Sequence, residues 1–132
     1  MKLKHKNLQS KLSHTPLNSA QFQQIKPKIS LSYLDGNFCI SKCTQGEKAE
    51  IITTLHRMSK LTWSDLQQLG RKRGGHENIE VKSLNCNVPS EFLEEANALS
   101  FHNPQKIPII GFRREDVFYI IAVDPKLKAY KH

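Results

Sequence analysis

Two apolar, β-rich runs close the sequence, IPIIGF at 107–112 and VFYIIAV at 117–123, and they are separated only by the charged tetrad Arg113-Arg114-Glu115-Asp116. β-branched and aromatic residues at this density favour a buried strand, and four charged residues between two such strands favour a solvated turn. The spacing therefore predicts a buried hairpin. Just outside its apolar centre stand Arg113, Arg114, Asp124, Tyr130 and His132, residue types that bind phosphate, orient a group or move a proton.

At 132 residues the chain has the length of one domain, large enough to bury a core without a disulfide or a metal. No apolar run approaches the roughly 18 residues that a membrane helix needs, and the N-terminus lacks the apolar stretch of a secretory signal. Three cysteines, Cys39, Cys43 and Cys86, cannot all pair within the chain, which suits reduced thiols. A cytoplasmic protein without a membrane partner is expected.

The net charge of +8 is unevenly placed. Residues 1–28 hold six lysines and no acid, whereas the rest of the chain holds fourteen Lys or Arg against twelve Asp or Glu. Residues 1–27, rich in Lys, Gln, Ser and Asn and broken by Pro16 and Pro27, read as a flexible basic N-terminal arm, followed by a single α+β domain at 28–132. Such an arm can contact phosphates nonspecifically or simply keep the chain soluble. Two basic spots remain in the body: Arg71-Lys72-Arg73, the best phosphate-contact patch there, and Lys126, Lys128 and Lys131 near the C-terminus.

Within the body, alternation over 28–35, the turn residues Asp35-Gly36-Asn37 and the following Phe38-Cys39-Ile40 predict a first β-hairpin. Thr44 and Glu47 have capping-box spacing, and Ala49, Ile52, Leu55 and Met58, with Ile51 beside them, recur at helical intervals; a helix over about 45–59 follows. Thr62 and Asp65 repeat the signature ahead of a shorter helix that turns Leu66 and Leu69 inward and can end at Gly70. Residues 79–84 alternate like a strand, 89–96 suit one or two helical turns, and 98–102 can enter the sheet. The order gives an α+β fold, an antiparallel sheet with two packed helices on one face.

Two early helices, a basic loop and a closing antiparallel sheet with Arg, Tyr and His near its end resemble the RelE/ParE superfamily of small bacterial toxins. The block Gly111-Phe112-Arg113, Val117-Phe118-Tyr119-Ile120, Asp124-Pro125 and Tyr130-Lys131-His132 is also similar to small bacterial proteins without an assigned activity. The toxin resemblance implies a metal-independent mRNA endoribonuclease of a toxin–antitoxin module, with RNA or the ribosome and an antitoxin protein as partners; the ParE branch acts on gyrase instead. Arg113, Tyr130 and His132 correspond to late functional residues of some such toxins. The chain departs from them in its long arm, its Asp124-Pro125 step and the modest charge of its body.

Cleavage of RNA by its own 2′-hydroxyl needs a base there, a cation at the phosphorane and an acid at the leaving oxygen. His132 or His102 can move the proton, Arg113 or Arg114 can supply the cation, and Tyr130 can stack or donate; Arg71, Lys72, Arg73, Lys126 and Lys128 can contact phosphates. Each has a plainer reading. The arginines can be solvated turn residues, Tyr130 can seal the sheet, His132 can be a frayed end, and His102 precedes the turn-like Asn103-Pro104. A noncatalytic module for nucleic acid or protein is therefore the alternative function. Cys39, Cys43 and Cys86 with His102 or His76 can be drawn as a zinc set, but their spacing does not match paired zinc ligands, so neither metal nor cofactor is expected.

Overall fold

The computed structural model describes residues 16–69, 75–102 and 107–130. Its elements in chain order are α1 (Ser19–Gln23), β1 (Lys28–Ser30), α2 (Gln45–Ser59), α3 (Trp63–Gln68), β2 (His76–Glu80), β3 (Asn97–His102), β4 (Pro108–Arg114) and β5 (Val117–Val123), with short 3-10 turns between them. The strands form one mixed, mostly antiparallel sheet in the order β1-β5-β4-β3-β2, so the fold is α+β.

The C-terminal hairpin forms the centre, with one correction to the expected turn. Arg114 pairs with Val117, so Arg113 and Arg114 belong to β4 and the turn is Glu115-Asp116 alone, with Glu115 in the left-handed region at φ 58°. Gly111 lets the two strands meet closely. A Cβ there would collide with the backbone carbonyl of Tyr119. Between Ile110 and Gly111 the register slips: Ile110 faces Ala122 while Gly111 faces Ile120, leaving Ile121 as the extra residue of a bulge. Its carbonyl accepts the Asp35 backbone N–H at 2.7 Å.

That contact explains why the first expected hairpin does not form. Residues 28–30 pair in parallel with β5, Lys28 opposite Val117, instead of folding back on residues 38–40. Asp35 caps a 3-10 turn at Gly36–Phe38: one carboxylate oxygen accepts Asn37 N–H at 2.9 Å, and the other accepts Asn87 N–H at 2.6 Å. The turn chemistry is real, but long-range partners use it. Within the expected arm, residues 19–23 form the capped helix α1, and Ile25 accepts Trp63 N–H at 3.1 Å. Residues 1–15 lie outside the described residues.

Helices α2 and α3 begin at the Thr44/Glu47 and Thr62/Asp65 capping boxes. Ile51, Thr54, Leu55 and Met58 are the buried stripe of α2, while Ile52 is 57% exposed, so the inward face is rotated by one residue from that expected. Thr54 takes an inward position that the apolar pattern does not mark. Its hydroxyl donates to Glu50 O at 3.0 Å and needs no water, which lets a polar residue occupy a core position. With Trp63 and Leu66 of α3 this stripe packs on Phe101, Ile109, Phe118, Ile120 and Val123.

The opposite face carries a second core, and among the described residues no α-helix contributes to it. Phe92, from a 3-10 turn at Ser90–Phe92, stacks on Phe112 at 4.7 Å between centroids, and Tyr33, Cys86, Ala129 and Tyr130 complete the cover. Burial on both sides explains the near-continuous apolar run of β4. β2 differs from its expected 79–84: it runs His76–Glu80 and gives way to a 3-10 turn at Val81–Ser83. An edge strand needs only one buried residue here, Ile79, so its composition stays polar.

Candidate functional site

At the end of the sheet where β3 and β5 finish, Asp124 organises the chain. It is 1% exposed, and its two carboxylate oxygens accept the backbone N–H groups of Lys128 and Ala129 at 2.8 and 2.9 Å. Its own N–H donates to Pro108 O at 3.0 Å, and Leu127, at φ 58°, completes the reversal. Asn85 then holds the returning segment from outside, donating its backbone N–H to Ala129 O at 2.6 Å and its side-chain amide to Lys128 O at 3.1 Å.

This clasp carries Tyr130 from the end of β5 to the far strands. The Tyr130 hydroxyl donates to Glu77 Oε1 on β2 at 2.8 Å and lies 3.1 Å from Ser100 Oγ on β3. A phenol has one proton; with that proton on Glu77, the Ser100 hydroxyl is the donor in the second bond. His102 Nε2 meets the same Glu77 oxygen at 3.0 Å. The four side chains share one face because Glu77 pairs with Ser100 across the ladder and His102 lies two residues further along β3.

All four are largely shielded: Ser100 is buried, Tyr130 nearly so, and the side chains of His102 and Glu77 are 12% and 22% exposed. A carboxylate bound to one imidazole nitrogen orients the ring and leaves Nδ1 as its second nitrogen. Acid–base chemistry is what such a constellation can do.

Sequence reasoning named His102 and Tyr130, and the fold brings these two together. It missed Glu77, in the polar stretch HENIE, and Ser100, a lone hydroxyl in the apolar run ALSF, neither of which belongs to a motif. Arg113 lies on the other face, its guanidinium 4.2 Å above the Trp63 ring and its Nε donating to Glu115 O at 2.8 Å. Burial there lowers its pKa, against the opposing pull of Asp116. Burial, with a smaller contribution from Arg113, also holds the nearby His76 below the usual imidazole range. Arg114 points to the second core, 4.5 Å over Phe92, with its Nη2 on the Glu91 carbonyl and 3.3 Å from Glu95 Oε1. Neither arginine joins the Glu77 cluster. His132, Arg71, Lys72 and Arg73 lie outside the described residues.

Lys126 and Lys128 meet Lys42 around a cavity of about 300 Å3 beside the same end of the sheet. His102 pairs with Pro108, and Asp124 bonds Pro108 from the other side, so the histidine and the start of the clasp are two strand spacings apart, roughly 10 Å. Cys43 belongs to the helical core and Cys86 to the opposite one. Among the described residues no group of three or more His, Cys, Asp or Glu is placed to hold a metal, and no helix is long and apolar enough to cross a membrane. No protein family, curated protein or solved structure with which the chain was compared matches it.

Proposed function

We propose that the protein binds RNA and cleaves it without a metal, with Glu77 and His102 as the proton-transferring pair. The observation that carries this reading is the single Glu77 oxygen held at 3.0 Å by His102 Nε2 and at 2.8 Å by the Tyr130 hydroxyl. His102 Nδ1 takes the proton of a 2′-hydroxyl while Glu77 stabilises the imidazolium. The 2′ oxygen bonds to phosphorus, the bond to the 5′ oxygen breaks, and the imidazolium returns its proton to that leaving oxygen. A 2′,3′-cyclic phosphate and a 5′-hydroxyl result. Tyr130 and Ser100 hold Glu77 in place. Lys126 and Lys128 supply positive charge for the RNA.

This assignment moves the cation role away from Arg113, which packs on Trp63, and keeps the expected toxin-type activity with an antitoxin protein as its partner. Inducible expression tests it: wild type arrests growth and degrades RNA, whereas His102→Gln at matched abundance does neither. Gln keeps a donor for Glu77 but has no titratable ring. Arrest by His102→Gln with RNA breakdown equal to wild type contradicts the assignment. The clustering of Lys42, Lys126 and Lys128 favours a second reading, a noncatalytic nucleic-acid-binding module, for which binding without any cleavage is the expected result.

A further inference from the structure

We propose that the cavity between the 3-10 turn at Ile40–Lys42 and the C-terminal clasp binds a terminal phosphate, the dianion of a phosphate monoester. Lys42, Lys126 and Lys128 line it together with Asn37 and Cys39, and Phe38 and Val123 supply apolar wall. None of the three ammonium groups has an ion-pair partner among the described residues. The one carboxylate in the lining, Asp124, accepts the Lys128 and Ala129 N–H groups and is almost wholly buried, so the cavity keeps a net positive charge.

The backbone beneath the lysines is fixed before any ligand arrives. Lys42 N–H donates to Cys39 O at 2.9 Å, Lys128 is bonded through both its N–H and its carbonyl, and Lys126 lies inside the reversal closed by Leu127 N–H on Asp124 O at 3.1 Å. Fixed stems reduce the ordering cost of binding. A monoester carries close to two negative charges near neutral pH, against one for a phosphodiester inside a chain, and so matches a cluster of three cations better. About 300 Å3 is at the small end of ligand cavities, room for one phosphate with the nucleoside or sugar attached to it, set against Phe38 and Val123.

Two sources share this chemistry, a free mononucleotide and the phosphorylated end of an RNA. Calorimetric titration of the full chain with adenosine 5′- and 3′-monophosphate, with adenosine, and with oligoribonucleotides bearing or lacking a terminal phosphate separates them. A mononucleotide is expected to bind at least about tenfold more tightly than adenosine, and Lys42→Gln or Lys126→Gln to weaken it about tenfold. Lys82→Gln, exposed and outside the lining, leaves binding unchanged. Preference for the end-phosphorylated oligonucleotide over its hydroxyl counterpart identifies an RNA end; binding of the mononucleotide but neither oligonucleotide identifies a small ligand. Adenosine binding as well as its phosphates, hydroxyl-ended RNA binding as well as phosphorylated RNA, lysine variants without effect, or no binding at all overturns the proposal. The mononucleotide titration reads a cavity whose lining includes neither Glu77 nor His102, so a failure of the cleavage reading leaves this site standing.

Discussion

Glu77 concentrates two hydrogen bonds on one carboxylate oxygen in a largely shielded place, and such an acceptor is costly to remove. Its loss leaves a phenol and an imidazole without their shared partner, at roughly 1–3 kcal/mol. Gly111 is a second residue on which the sheet depends, because any side chain there meets the Tyr119 backbone and backbone cannot rotate aside. Gly111→Ala is expected to lower the unfolding free energy by about 1–3 kcal/mol in a denaturant titration; an unchanged midpoint contradicts the close approach. The thiols give a separate test. Burial pushes Cys86 up from 9.0 to about 11, burial likewise raises Cys43, and Cys39 is lowered chiefly by hydrogen bonding from Ser41. A thiol reagent at neutral pH should therefore modify Cys39 first and Cys86 last. The same shift has a stability sign: an unfolded Cys86 ionises first, so its contribution is complete below about pH 9 and is lost as pH rises toward about 11. Cys86→Ala should flatten that part of the pH–stability profile, and an unaltered slope contradicts the burial account.

The clasp at 124–130 is the element on which the candidate site depends. Asp124→Ala removes two charge-assisted acceptors from the Lys128 and Ala129 N–H groups, at about 2–4 kcal/mol together, and frees Tyr130 from the Glu77 cluster. The expected outcome is a lower melting temperature with Tyr130 more exposed to solvent by fluorescence quenching; an unchanged melt would show that the segment is held by something else. How far elements were legible follows the range of their determinants. The Thr44/Glu47 and Thr62/Asp65 boxes act within four residues, so the helices could be read from the chain itself. β1 could not, because its partner β5 lies some ninety residues away and Asp35 is committed to Ile121 and Asn87. β2 was misplaced because an edge strand of sequence HENIE shows one buried residue and no alternation. That error also hid the site. With the strand begun at Ile79, Glu77 had no reason to face Ser100, whereas His102 and Tyr130 stood out by chemistry alone.

At the scale of the molecule, the sheet separates two cores made in different ways. Helices α2 and α3 seal one face, and the indole N–H of Trp63 donates to Asp116 O at 3.1 Å, tying them to the β4–β5 turn. Irregular chain and the C-terminal clasp seal the other, where the Glu77 cluster lies; the lysine-lined cavity opens beside the same end of the sheet. Arg113 and Arg114 pack on aromatic rings of the two cores and end β4, whereas His102 pairs with the first residue of that strand, Pro108, which accounts for their distance from the histidine. The central claim is that the Glu77–His102 pair cleaves RNA. Its most direct test is incubation of purified protein with single-stranded RNA in the presence of a chelator, wild type beside His102→Gln, with product ends analysed and folding checked by thermal melt. The account predicts 2′,3′-cyclic phosphate and 5′-hydroxyl ends from wild type, and a rate about 10²–10⁴-fold lower from a folded His102→Gln. RNA left intact by wild type, or cleaved equally by the variant, would contradict it.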